Sequence, residues 1–346
     1  MGIAFARDLK AAPEPFHTIG VDSSPSMLQR VQTDEALLVP RATDPDYLSV
    51  LRKLVEEHDI DLVVVTRPIE MIAVARDREK VGTRTFLPKA ETLEMCNDKI
   101  ASYAKWQAAG VPVPPSMRLN NEEDLKTAFK EFGPELWLRD IGGAGGKGSL
   151  PVTDFETAVG WVNIRKGWGN FMAARRLTAR TVTWESIWRN GKLIAAQGRE
   201  RHYWEFAALT PSGVTGITGS GETVSDPIVD DIAQRAIKAV DSSPNGLMGV
   251  DMTYSPEGVP CVTEINGGRY MNGGVVLYSG AGISFPYLTV QAAMDELPGD
   301  WTPKINPLPP GIVCVRGMDV EPVLLQKDKI KKAETELAAL RKRAAK

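Results

Sequence analysis

Two strand-like runs, 247–254 and 259–266, flank the turn Ser255-Pro256-Glu257-Gly258, and each carries acids inside otherwise apolar sequence. A hairpin closed by that turn pairs Tyr254 with Val259, and therefore Asp251 with Val262. Side chains alternate along a strand, so Asp251, Val262, Glu264 and Asn266 fall on one face. Asp251 then lies diagonal to Glu264, within side-chain reach. Two carboxylates and an amide on a surface flanked by Gly249-Val250 and Ile265 are costly to bury unless a cation neutralises them. Hard oxygen donors of this kind suit Mg²⁺, which usually also takes phosphate oxygens. The competing reading is a solvent-facing acidic strand pair. A one-residue slip in register would send Asp251 to the other face.

A glycine cluster adds a second constraint. Gly142-Gly143-Ala144-Gly145-Gly146-Lys147-Gly148 follows the strand-like run 135–139, which ends in Arg139. Backbone without Cβ atoms can close over phosphates and present amide donors. The segment does not match the GxxxxGK[ST] P-loop, because Ser149 does not directly follow a lysine. Taken alone, it fits a loop of no function equally well. Arg139 and Lys147 could both meet phosphate oxygens, the arginine in bidentate fashion. Lys99 lies one turn inside the helix that Asn97-Asp98 caps and that runs to Ala109. On its own it reads as a surface lysine.

The length of 346 residues allows two or three modules. The chain opens with helical periodicity over 2–12, then a strand over 16–22 that ends in Asp22, a helix over 44–58 and an apolar strand over 61–66. This alternation argues for a parallel sheet. A doubly wound module normally begins with a strand and a glycine turn ahead of its first helix. Here Met1-Gly2 falls where that turn should finish, so either the start lies late or the first strand is absent. Residues 111–115 read as an extended linker and 121–132 as a charged helix. Antiparallel strands over 171–200 turn at Asn190-Gly191. A helix over 226–241 precedes the acidic hairpin, a strand over 311–316 closes the fold, and 326–346 form a solvated or docking helix.

Net charge is −3, from 41 basic and 44 acidic residues, so no basic excess exists to neutralise a nucleic-acid backbone. Cys96, Cys261 and Cys314 form neither a disulfide framework nor a CxxC site, which suits a reducing compartment. No apolar run approaches the ~18 residues of a membrane span, and no signal peptide opens the sequence. The expected location is the cytoplasm.

In order along the chain, Asn97-Asp98-Lys99, Gly110-Val111-Pro112-Val113-Pro114, Leu138-Arg139 with the glycine cluster, Gly249-Val250-Asp251 and Glu264-Ile265-Asn266 resemble ATP-grasp ligases. Within that family the sequence is similar to the carbamoyl phosphate synthetase large-chain and biotin carboxylase branch, over residues 16–316. The resemblance implies a mixed α/β and α+β chain. A shortened doubly wound α/β domain (1–95) would precede two grasp subdomains (96–177 and 178–318) and a helical tail (319–346). It implies ATP and Mg²⁺ as cofactors. Lys99 and Arg139 would meet the phosphates, with Gly142, Gly143, Gly145, Gly146 and Lys147 closing over them. Leu177 of the hinge and Glu185 would face the nucleotide. Asp251, Glu264 and Asn266 would hold the metal, and Arg139 and Arg269 would act in catalysis.

The implied reaction activates a small carboxylate as an acyl phosphate for attack by an amine or ammonia. The branch often forms dimers, which extends the expectation to a homodimer. The alternatives are an ATP-binding sensor or scaffold with reduced catalysis, and a phosphotransferase. Four departures bear on these readings. The hinge segment 171–177 has no acid, and Thr181 stands where a ribose-contacting acid is usual. Arg269 comes one place late after Glu264-Ile265-Asn266, and the opening strand is missing. Arg199, Arg201 and His202 either pair with a substrate carboxylate or form surface ion pairs with Glu200 and Glu205. Segment 270–274 is a candidate wall of the acceptor site. Asp22 either serves a ligand or belongs to the cap of the next helix.

Overall fold

The computed structural model describes residues 2–143, 145, 146, 148–317 and 327–345, so the expected phosphate-side Lys147 and the 318/319 boundary lie outside the described residues. The first quarter alternates helix and strand: α1 (Gly2–Leu9), β1 (Ile19–Asp22), α2 (Pro25–Leu28), β2 (Glu35–Leu38), α3 (Tyr47–Glu57), β3 (Leu62–Val63), α4 (Pro68–Arg76), β4 (Arg84–Thr85) and α5 (Ala90–Asn97). Pairing is parallel, as the alternation predicts, but it forms two separate pairs, β1 with β2 and β3 with β4. The run expected as a six-residue strand at 61–66 keeps only two paired residues. Val65 instead turns into a core with Met71 and Val74. α3 contributes Tyr47, Val50, Leu51, Leu54 and Val55 to that core, the stripe of an amphipathic helix. The expected division after residue 95 falls inside α5, which packs on α4.

Asp98 ends α5 and caps α6 (Lys99–Ala108), its carboxylate accepting the Ala101 N–H at 3.0 Å. Then follow β5 (Ser116–Leu119), α7 (Glu122–Phe132), β6 (Leu136–Asp140), β7 (Leu150–Val152), α8 (Phe155–Ile164) and β8 (Phe171–Arg175). These strands make an antiparallel sheet in the order β5-β8-β6-β7. Asn121 and Asp154 cap α7 and α8, which cover the sheet through Leu125, Ala128, Ala158 and Val162.

A second, larger sheet uses β9 (Thr181–Arg189), β10 (Lys192–Trp204), β11 (Thr218–Val224), β12 (Gly246–Tyr254) and β13 (Pro260–Gly267). Between β11 and β12 runs α9 (Pro227–Val240). After β13 come α10 (Asn272–Gly280), α11 (Phe285–Met294), β14 (Lys304–Ile305), β15 (Val313–Val315) and α12 (Lys327–Ala344). The order is β13-β12-β9-β10-β11-β15, with β14 also beside β10. Period-two alternation sorts the sheet's two faces. Trp184, Trp188 and Val250 pack with Ile232, Ala236 and Ile237 of α9. Ile187, Ala195 and Leu247 pack with Tyr278 and Phe285, and there α1 adds Phe5 and Leu9.

The acidic hairpin corrects the expected register twice. Its loop spans 255–259, closed by the Ser255 N–H on the Val259 carbonyl at 2.8 Å, so Tyr254 pairs with Pro260 rather than Val259. Thr263 then bulges out between the pairs Met252/Val262 and Asp251/Glu264. Each change shifts register by one residue. Either alone would have put Glu264 on the opposite face from Asp251; together they restore the face and set the two acids directly opposite.

At the chain's end α12 docks on the first quarter. Leu340 is buried in the α3 core, Arg341 pairs with Asp44 at 3.1 Å and Asp46 at 2.7 Å, and Arg343 pairs with Glu57 at 2.8 Å. The docking reading of the tail therefore holds. Among the described residues no helix is long and apolar enough to cross a membrane. Truncating the buried side chain, Leu340→Ala, should cost about 2–5 kcal/mol, seen as a lower urea midpoint and faster proteolytic release of α12. Removing the exposed Arg343 pair should cost less than about 1 kcal/mol.

Candidate functional site

The two sheets meet at Glu264. Arg139, near the end of β6, donates from Nη2 to Glu264 Oε2 at 3.0 Å. From the start of α6, Lys99 brings its ammonium to 3.7 Å from the same oxygen. Lys99 is only 5% exposed and is no surface lysine: its Nζ donates to the carbonyls of Gly143 at 2.6 Å and Ile141 at 3.3 Å. Burial, and then Arg139 beside it, push its pKa down to about 8. Burial works against the Glu264 charge, but Arg139, Lys99 and the Asn266 amide outweigh it and hold that carboxyl below its ordinary range.

Across the hairpin, Asp251 accepts from Thr183 Oγ1 at 2.6 Å and lies 3.5 Å from Arg201 Nη2. Burial raises its pKa, and the Glu264 charge adds to the rise. Asn266 Nδ2 donates to both acids, at 3.0 Å to Asp251 and 3.2 Å to Glu264, and its Oδ1 accepts from Arg269. The expected trio thus converges on one point. Among the described residues no third acid, histidine or cysteine joins it, so the donor set is two carboxylates and an amide. Directly opposed carboxylates of unequal proton affinity in a cleft are a fit for a hard divalent cation such as Mg²⁺. Arg269 reaches Asn266 despite its one-place delay, because Gly268 takes φ +78° and bends the chain.

Of these groups Arg139, Asp251, Glu264, Asn266 and Arg269 line a cleft of about 1830 Å³ that also takes in Gly143, Gly145, Gly146 and Leu177, whereas Lys99 lies behind that lining. Gly142 lies off it, on a small side recess with Arg118 and Asn170. The glycine loop meets the segment 213–216 of the larger sheet. A Cβ at Gly146 would collide with the Val214 carbonyl, and one at Gly216 would lie 3.1 Å from Gly145 Cα. The hinge departs from acid-bearing chemistry in a specific way. Arg175 pairs with Glu257 at 2.7 Å and Arg176 with Glu135 at 3.0 Å, and both border the cleft beside apolar Leu177.

Glu185 is not brought to that wall. It is 2% exposed beneath the start of α10, where Oε1 accepts the Met271 N–H at 2.6 Å and Oε2 has no partner. Burial lifts its pKa to about 7. The alternative of surface ion pairs for Arg199 and Arg201 fails. β10 runs through both, and alternation turns them inward to 1% and 9% exposure, against Thr181, Thr183 and Thr218. Arg201 also stacks on Trp204 at 3.7 Å. His202 faces the other way, toward Ser220 at 3.1 Å and Glu222 at 3.8 Å. Asp22 serves the turn, its Oδ1 accepting the Ser24 N–H at 2.8 Å, and also borders the cleft. The sequence reading missed Thr183 as a partner of Asp251. Its signal was a Thr-x-Thr alternation opposite Arg-x-Arg.

Two outcomes follow. A Cβ at Gly274 would fall on Glu185 Oε2, so Gly274→Ala should lower stability by about 1–3 kcal/mol in thermal unfolding. The raised Glu185 pKa means the folded chain keeps a proton that the unfolded chain releases between its ordinary value of 4.5 and about 7. Its contribution to stability is therefore present below that window and lost as pH rises through it. Relative to wild type, Glu185→Gln should gain melting temperature steadily from pH 4.5 to 7.

No family model matches the sequence. The structure is similar to several solved ones. Biotin carboxylase from Campylobacter jejuni, solved with a β,γ-ATP complex, is 18% identical with TM-score 0.65, covering 84% of this chain and 68% of that one. Carboxyaminoimidazole ribonucleotide synthase from Aspergillus clavatus, complexed with ATP, is 16% identical with TM-score 0.65, covering 88% and 76%. L-amino acid ligase from Bacillus licheniformis is 16% identical with TM-score 0.59, covering 84% and 78%. Shared across most of the chain at such low identity, this architecture of paired antiparallel sheets around a cleft is the ATP-grasp fold.

Proposed function

We propose that the chain is an ATP- and Mg²⁺-dependent ligase that activates a carboxylate as an acyl phosphate for attack by an amine or ammonia, similar in chemistry to carbamoyl phosphate synthetase. The observation that carries this is the convergence of Arg139, Lys99 and Arg269 on the Asp251–Glu264–Asn266 face, from both sheets. In this reading residues 96–177 and 178–318 are the two halves of the grasp, behind an α/β module at 1–95.

Mg²⁺ held by Asp251, Glu264 and Asn266 would neutralise phosphate oxygens at the point of transfer. The chain's own groups do the positioning. Arg139 and Lys99 keep Glu264 ionised, and Arg139, on the cleft lining, offers N–H donors as a planar fork. Gly143, Gly145 and Gly146 allow backbone to lie close over bound phosphates without a Cβ in the way. Arg269, anchored on Asn266, is placed to steady charge on a substrate oxygen near the metal face. The small-molecule acid and amine are the substrates in this reading.

The acid-free hinge favours a second reading, a nucleotide sensor that keeps the grasp. Glu264→Gln separates the two. For a ligase, ADP release that depends on Mg²⁺, an acid and an amine should fall by about 100-fold or more, whereas a sensor should change in nucleotide affinity alone. Firm nucleotide uptake with no turnover across a broad panel of acids and amines would defeat the ligase reading.

A further inference from the structure

Arg199 is a buried cation that the assembled site leaves without a counter-charge. It is 1% exposed, Nη1 donates to Thr218 Oγ1 at 3.2 Å, and Nε has no hydrogen-bond partner. Arg199 bears on Glu185 only through space, and no carboxylate among the described residues comes within ion-pair distance of its guanidinium. A charge held this way is expensive unless something else completes it.

What surrounds it is built for an anion. The nine-residue α10 begins here, and its N-cap Met271 offers no side-chain cap; the Gly274 N–H turns back to the Met271 carbonyl at 2.9 Å, while the N–H groups ahead of it in the first turn keep their capacity. Gly273, in that first turn, lies between two guanidiniums: a Cβ there would be 3.3 Å from Arg199 Nη1 and 3.4 Å from Arg316 Nη1. The absence of a side chain keeps the helix start open toward both. Arg199, Arg316, Thr218 and Gly273 all border the cleft.

The place is beside the metal face, not on it. Arg201 intervenes: its Nη2 lies 3.5 Å from Asp251, while its Nε shares Thr218 Oγ1 with Arg199, at 3.1 Å. An anion at the start of α10 is therefore separated from Asp251 by a whole guanidinium, which distinguishes it from the group that reacts.

We propose that this pocket binds a carboxylate or phosphate group of the substrate that the reaction does not consume, with Arg199 as the residue that selects for it. The proposal rests on the ligase reading above and names its substrate class: an acid or amine bearing a second anionic group. A guanidinium and helix amides serve carboxylate and phosphate alike, so the probes must separate them.

The protein, saturated with Mg²⁺ and a non-hydrolysable ATP analogue, is titrated calorimetrically with succinate and separately with inorganic phosphate. Arg199→Met and Arg199→Lys are treated in the same way. At least one probe should bind wild type, and which one binds assigns the anion class. Arg199→Met should weaken it by about tenfold or more, the size of a lost charge-assisted bond, with Arg199→Lys between. Analogue affinity should stay unchanged. Without ligands, Arg199→Met should melt no lower than wild type, since it removes an uncompensated buried charge. The proposal is overturned if neither anion binds wild type, if Arg199→Met binds equally well, or if that variant melts several degrees lower or fails to fold. Absence of analogue uptake by wild type would sink the ligase reading instead, and the anion titrations would still be read from the variants.

Discussion

Asp251 and Glu264 sit directly opposite each other on neighbouring strands, and the surrounding architecture is arranged around the repulsion that this creates. The cations are distributed unequally. Glu264 receives Arg139 and the nearby Lys99, whereas Asp251 has one long contact to Arg201 and otherwise neutral donors, the Thr183 hydroxyl and the Asn266 amide. Their proton affinities therefore move apart, one below its ordinary range and one above. Arg139 belongs to the smaller sheet and Glu264 to the larger, so the electrostatic compensation is also what ties the two sheets at the cleft floor. The pair is costly without its partners and well suited to a doubly charged ion with them.

Much of the arrangement was legible because periodicity survives burial. The helix at α3, the Asp98 cap and the hairpin's face could all be read from the sequence. The register could not. A turn lengthened by one residue and a bulge at Thr263 are invisible in a hydrophobic pattern, and the expected face was recovered only because two single-residue shifts share parity. Charged sequence misled in the opposite direction. Arg199-Glu200-Arg201-His202 looks like an exposed run, yet it is a continuous strand whose alternate members are interior. Glu185 matched an expected acidic position, but Gly274, which has no side chain to hold it off, lets α10 lie across it. Short strands such as β5 and β7 carry too few residues for a period to show.

Glycines recur where charged side chains and backbone must approach. Gly273 and Gly274 let the start of α10 rest on a floor that holds Arg199 and Glu185, and Gly146 and Gly216 let two loops meet with backbone in contact. At Gly146, Gly273 and Gly274 an added methyl group would meet a polar atom first, and at Gly216 the Gly145 Cα. Volume at these positions therefore governs electrostatics as much as packing.

The terminal helices are seated at opposite ends of the chain from where they are encoded. α1 rests on α10 and α11, with Phe5 and Leu9 in their core, while α12 closes the core built by α3. The partners of α1 in α10 and α11, and the Leu340 that completes the α3 core, lie far downstream in the sequence, so these parts of the two cores close late. Until those segments emerge, the faces of α1 and α3 that they cover stay exposed, an interval in which chaperones would find a ready client.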